Sequence, residues 1–310
     1  MSDAVNVIAF PGAPNLPLFV ARELGFFEHN AIAVEFTTTP SSVFQFEQLS
    51  AGAFDIGMTA FDNVVAYREG QGPANLTGVK DFRAVMGATQ IELAFVVDSH
   101  IKGYADLKGK SIALDALATG FAFVLYEMLA RNGLSKDDVE MVAVGATPQR
   151  WQSVKEGEHV GTLTIEPFTS VAQAAGFSVL DVSSNVVDVY QGGCVAVSQQ
   201  WAQKHPEIVK AYLNAYLSAL EWTLDSRNAA DAKRILLANM TAIKPQVADA
   251  VMKSLVSPQS GLTPQGNILR DGIETVLRLR STYGRGDQLG DIDRYLDLSF
   301  YTEVMQGRTR

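Results

Sequence analysis

The sequence predicts an α/β protein of two lobes with largely parallel sheets and a helical C-terminal part. Three observations carry this expectation. Short apolar, strand-like runs alternate with longer amphipathic stretches between Gly and Pro breaks, the pattern of βαβ units. One order of elements also occurs twice. "LPLFVARELGFFEHNAIAVEF" and "FAFVLYEMLARNGLSKDDVEMVAV" both read helix, Gly, strand. The stretches that follow, "SVFQFEQLSAGAFDIGMTAFD" and "QRWQSVKEGEHVGTLTIEPFT", read helix, Gly, strand and then a polar residue next to Phe. Third, from Trp201 onward the alternation gives way to helical periodicity.

Taken in order, the strands are expected at Val5 to Phe10, Ala33 to Thr37, Phe54 to Thr59, Phe82 to Gly87 and Leu93 to Val97. Five more follow at Ser111 to Leu114, Val139 to Val144, Gly161 to Ile165, Ser178 to Val182 and Cys194 to Val197. The repeated order predicts one α/β half around residues 5 to 65 and another around 111 to 170. Similarity between unrelated βαβ units, which share glycines by necessity, is the competing explanation. In the last third, His205-Pro206, Lys244-Pro245 and Thr263-Pro264 place Pro at first helical turns. The first of these helices carries Ile208, Val209, Tyr212, Leu213, Tyr216, Leu217 and Leu220, a stripe expected to face a core. No chemical constellation stands in these helices, so they are expected to pack around the first lobe.

Composition excludes several classes of function. The chain has 310 residues, 47% of them hydrophobic, enough for a large core and long for one domain. With 25 basic and 34 acidic residues the net charge is -9 and no basic run occurs, which argues against a nucleic-acid partner. Cys194 is the only cysteine, so an intrachain disulfide and a cysteine-rich metal site are ruled out. No window approaches the roughly 20 apolar residues that cross a bilayer. The start "MSDAVNVIAF" lacks the basic head and apolar stretch of a secretion signal, so the chain is expected to be either intracellular or the mature part of a precursor. His29, His100, His159 and His205 are scattered without metal-ligand spacing, and no nucleophile elbow, Walker loop or dinucleotide fingerprint is present. No metal and no cofactor is expected.

Ligand binding has geometric support. Loops at the carboxyl ends of parallel strands open into a shared crevice where helix N-termini offer free N–H groups. Small polar residues collect in such loops in both halves: Asn15, the Thr37 to Ser42 run with Thr38 and Ser41, and Asp62-Asn63 in the first; Asp115, Thr119-Gly120 and Glu166 in the second. Each has a structural alternative. Ser41 or Ser42 caps the helix toward Leu49, and Thr119 caps the one toward Arg131. Asp62 suits a first helical turn. Glu166, before Pro167, is either a turn residue or a ligand contact.

Five stretches in register, "PLFVARELGFFE", "LSAGAFDIGM", "DLKGKSIAL", "IEPF" and "HPEIVKAYLNAYLSALEW", resemble the solute-binding proteins of nitrate, sulfonate and thiamine-precursor ABC importers, the SsuA/THI5-like (NMT1) group. The resemblance implies the type II periplasmic-binding-protein fold: two α/β lobes with a hinge, an interlobe cleft and a helical C-terminal part. It implies lobes of residues 1–90 with 196–310, and 91–195, joined by crossings near Ala88 to Leu93 and Tyr190 to Ala196. Tyr190 and Gly192-Gly193 then lie near the hinge, with Tyr190 either stacked on a solute or half-buried in the core. Cleft residues carry over onto Asn15, Thr38, Ser41, Asp62, Thr119 and Glu166. Asn15 stands where the thiamine-precursor branch usually has His, and the cysteine cluster of the THI5 enzymes is absent. The implied function is capture of a small-molecule solute for a membrane ABC permease, by a monomer working in the periplasm or another extracytoplasmic space.

Charge refines the solute. Asp62 and Glu166, with no cation expected beside them, suit an amine, amidine or aminopyrimidine, because a desolvated carboxylate needs a donor. Arg150, beside Trp151, is expected on a solvated helix face; pointed into the cleft it would neutralise Glu166. The alternatives are a sulfonate or nitrate-type anion receptor and an enzyme on the same bilobal fold.

Overall fold

The computed structural model describes residues 3–78, 80–90 and 92–308. β1 (Asp3–Ala9) leads through α1 (Leu16–Glu23) and α2 (Phe26–His29) to β2 (Ile32–Thr38). The chain continues with α3 (Ser42–Ser50), β3 (Ile56–Ala60), α4 (Phe61–Arg68) and β4 (Phe82–Thr89). A second passage contains β5 (Ala94–Val97), β6 (Ser111–Leu114), α5 (Gly120–Arg131), β7 (Glu140–Ala143), α6 (Thr147–Lys155), β8 (Gly161–Thr164), α7 (Phe168–Ala174) and β9 (Ser178–Val182). β10 (Gly193–Ser198) returns, followed by α8 (Gln199–Lys204), α9 (Pro206–Leu224), α10 (Ala229–Asn239), α11 (Pro245–Leu255), α12 (Arg270–Tyr283) and α13 (Ser299–Arg308). All ten expected strands form, with ends within two residues of those read from the apolar runs.

The strands make two five-stranded sheets, ordered β2-β1-β3-β10-β4 and β7-β6-β8-β5-β9. In the first, β1 pairs in parallel with β2 and β3, while β10 runs antiparallel between β3 and β4. The second repeats this plan, with β6 parallel to β7 and β8 and β5 antiparallel between β8 and β9. The repeated element order in the sequence therefore corresponds to a repeated topology, not to chance likeness. The first passage between the sheets, from Ala88 to Leu93, includes Ile91, which lies outside the described residues.

The helical third is held by apolar burial. Val209, Tyr212, Leu213, Tyr216, Leu217 and Leu220 of α9 are all buried, packed with Val5, Val7 and Leu16 in one cluster, so the stripe faces a core as expected. α12 departs from the expectation that these helices pack only around the first lobe. Its Ile273, Val276 and Leu277 join a cluster that contains Ile8 and Phe61 from the first sheet's side and Phe95, Phe123 and Tyr126 from the second's. One continuous core therefore passes through α12 from lobe to lobe.

Candidate functional site

The two sheets face each other with their loops, and a cleft lies between them whose empty volume, counting its open mouth, is about 820 Å3. The first lobe supplies the segments that end β1, β3 and β4 and begin β10, with Phe10, Asn15, Met58, Thr59, Asn63, Thr89 and Cys194. The second supplies the carboxyl ends of β6, β7 and β8, with Asp115, Thr119, Gly120, Phe121, Thr147, Arg150 and Ile165. This is the crevice that strand direction predicts. The lobes also touch through backbone: Ala13 N–H donates to the carbonyl of Glu166 at 3.0 Å, and Ala146 N–H to that of Pro40 at 2.8 Å.

Arg150 is the distinctive group. It stands in the first turn of α6, is 2% exposed and lines the cleft. Its Nη2 donates to Thr147 Oγ1 at 2.9 Å and to the carbonyl of Leu163 at 3.0 Å, both neutral acceptors. Nε has no partner, and no carboxylate among the described residues forms an ion pair with it. Burial pushes the guanidinium down to about 10, with Asp115 pulling the other way, so the group is charged at neutral pH. A buried cation with donor capacity to spare is costly unless a ligand completes its shell. The N-termini of α5 and α6 open on the same cleft and add positive potential. Asp115, half-buried, places both carboxylate oxygens 3.2 Å from the backbone N of Ser42, at the start of α3 in the opposite lobe.

Of the eight residues expected in the cleft, Asn15, Thr119 and Gly120 line it. Asn15 donates from Nδ2 to the carbonyl of Phe10 at 2.7 Å, keeping Oδ1 available. Thr119 both lines the cleft and caps α5, accepting from Ala122 N–H at 3.5 Å. Gly120 is required by close approach, since a Cβ there would lie 2.5 Å from Asp62 Cβ and 2.6 Å from Tyr190 Oη.

The other five stand off the lining. Thr38 is exposed at the end of β2, an edge strand of the first sheet, and does not line the cleft. Ser41 caps α3, accepting from Phe44 N–H at 3.1 Å. Asp62 is fully buried against Arg280 of α12, which donates to its two oxygens at 2.7 and 2.5 Å. Glu166 turns onto the first turn of α7, accepting from Ser170 Oγ at 2.9 Å and Ser170 N at 3.3 Å; burial holds its carboxyl above the ordinary range. Tyr190 is buried beneath Gly120 and Asp62, with its hydroxyl unpartnered. The pair of unmatched carboxylates expected from the sequence is therefore absent from the cleft: one is neutralised by Arg280 and the other faces its own helix.

The sequence profile of the NMT1/THI5-like family matches residues 14–230, well over half of the chain. The chain belongs to that family. Its fold recurs in solved structures of low sequence identity. A Bordetella bronchiseptica RB50 protein superposes with a TM-score of 0.82 at 21% identity, covering 100% of this chain and 99% of that one. The nitrate-binding protein NrtA from Synechocystis PCC 6803 gives 0.78 at 13% (99% and 89%). The alkanesulfonate-binding protein SsuA from Xanthomonas axonopodis pv. citri, bound to MOPS, gives 0.73 at 16% (98% and 99%). This NMT1/THI5-like chain thus has the periplasmic-binding-protein fold. The desulfurization enzyme DSZB shares it, with a TM-score of 0.63 at 15% identity (99% and 100%), so the fold alone does not separate binding from catalysis.

In this family member Arg150 was expected on a solvated face, with the cleft as the alternative, and Arg280 was not singled out at all. Arg150 carried a usable signal: a cation in the first turn of a helix opposes the dipole, so its place there needs another reason. Arg280 carried none, because nothing local marks a helical Arg as the partner of an Asp 218 residues away.

Proposed function

We propose that this chain is the solute-binding receptor of an ABC-type importer and that its cleft takes an organic anion, such as a sulfonate, with an apolar body. The observation that carries the reading is Arg150: a charged guanidinium buried in the cleft wall and hydrogen-bonded to no carboxylate among the described residues. An anionic head at Arg150 and the adjacent helix N-termini gains charge-assisted hydrogen bonds. Phe10, Met58, Phe121 and Ile165 suit a hydrocarbon portion better than a bare inorganic anion. The amine reading loses its basis once Asp62 is matched by Arg280 and Glu166 by Ser170.

Binding without turnover is favoured by the cleft's side chains. Among the described residues no His lines it, burial pushes the Cys194 thiol far up, and the carboxylate of Asp115 is engaged with the backbone N–H of Ser42. In this reading the expected division, residues 1–90 with 196–310 against 91–195, shifts at its second boundary so that all of β10 stays with the first sheet, and the two bodies move about the crossings, close on the solute and present it to a membrane permease outside the cytoplasm.

Thermal unfolding with matched hexyl compounds tests the head-group chemistry. Hexanesulfonate at a hundred times its dissociation constant stabilises by about 2.7 kcal/mol, with hexanol weaker and hexylamine inert. Stabilisation by hexylamine alone would return the cleft to a cation receptor. Recovery of a chemically altered sulfonate after incubation would instead make the chain an enzyme.

A further inference from the structure

A side chain of the C-terminal third stands directly behind the cleft wall. Arg280 of α12 is 1% exposed and divides its guanidinium between the lobes. Nε and Nη2 hold Asp62 of α4, and Nη2 also donates to the carbonyl of Ala118 at 3.2 Å. Ala118 immediately precedes Thr119 and Gly120, with which the second lobe lines the cleft. The same guanidinium lies 4.9 Å from the ring centre of Phe123 in α5. Both ends of α12 are fixed as well. Leu269 N–H donates to Gln191 Oε1 at 2.8 Å, on the segment returning between the sheets, and Tyr283 Oη donates to Glu127 of α5 at 2.8 Å.

We propose that Arg280 is a positioning residue for the cleft: it holds the Ala118–Gly120 turn of the second lobe against Asp62 of the first. A planar guanidinium suits this task because its donors point along fixed, divergent directions, so two acceptors on different lobes are set relative to each other. An ammonium is a point charge and serves Asp62 without fixing the turn. The absence of a Cβ on Gly120 lets the turn come within contact of Asp62. Separating the turn from Asp62 therefore requires loss of the Arg280–Ala118 hydrogen bond.

Hydrogen–deuterium exchange of the full chain without added solute tests this, and its outcome is separate from that of the receptor reading. Two variants are compared with wild type after circular dichroism shows that they fold. Arg280→Lys keeps Asp62 paired, and Asp62→Leu/Arg280→Met removes both charges together. In each, the amides of Ala122, Phe123 and Val124 are expected to exchange about tenfold faster, equal to about 1.4 kcal/mol of local opening. Amides of β1 and α9 should keep their wild-type rates. Wild-type exchange at the three α5 amides in Arg280→Lys overturns the proposal. So does an equal acceleration in β1 and α9, which would mark Arg280 as a general stabiliser rather than one that positions the turn.

Discussion

Asp62 and Arg280, 218 residues apart in the chain, form a two-point ion pair with neither side chain exposed to solvent. A first-turn acid in the N-terminal lobe thereby finds its counter-charge on a C-terminal helix. Removing one partner leaves the other charged and buried. Asp62→Ala is expected to destabilise the fold by about 3–5 kcal/mol, whereas replacing both partners by apolar groups costs far less. Urea unfolding of the single and double variants measures the difference.

Gly120→Ala sets two effects against each other. Ala is the better helix former by at most about 1 kcal/mol. The added methyl meets Asp62 Cβ and Tyr190 Oη at 2.5 and 2.6 Å, both on side chains packed in the core. Overpacking of this kind costs about 1–3 kcal/mol, so the variant is expected to lose stability on thermal unfolding and to bind solute more weakly, because the lobes are held apart.

Glu166→Gln has a pH signature. Burial raises the carboxyl in the fold, with the Ser170 hydroxyl and N–H pulling the other way. A group raised in the folded state contributes its full stability below its unfolded pKa, about 4.3, and loses it as pH rises through the folded value. Gln keeps an acceptor for Ser170 and cannot ionise. The variant is therefore expected to melt higher than wild type at pH 7 and at the same temperature near pH 4, with unchanged solute affinity. A loss of affinity would restore Glu166 to the cleft.

Asp115→Asn separates a structural from an electrostatic role. The carboxylate sits at the N-terminus of α3, where a negative charge contributes about 0.3–1 kcal/mol. It also lines the cleft, where it opposes a bound anion. The variant is expected to lose up to that much stability while binding an alkanesulfonate about threefold to tenfold more tightly. Weaker binding of the sulfonate would show that Asp115 contacts a donor on the solute.

Architecture was legible where it rests on local pattern. Each strand is a short apolar run bounded by breakers, so all ten could be read, and the repeated order of elements foretold the repeated topology. Asn15, Thr119 and Gly120 follow the central strands β1 and β6, so loop position was enough to place them on the cleft wall. Thr38 lies off the cleft wall because its side chain is exposed at the end of β2, which the alternation of apolar and polar residues does not reveal. Asp62 and Glu166 failed for a different reason. A carboxylate's partner decides its role, and those partners, Arg280 and Ser170, were not visible at sequence level. Arg150, expected on a solvated face, is instead buried in the cleft wall, while its neighbour Trp151 packs with Val154 and Phe168.

In the proposed receptor Arg150 receives the anionic head of the solute. Isothermal titration of hexanesulfonate into wild type and Arg150→Met tests it. The long apolar side chain keeps the buried volume and removes the charge. Loss of a charge-assisted contact in a desolvated site predicts weakening of at least about 30-fold, or about 2 kcal/mol, with an unchanged melting temperature or a higher one for the solute-free variant. Equal affinity in the two proteins would show that the solute does not bind through Arg150.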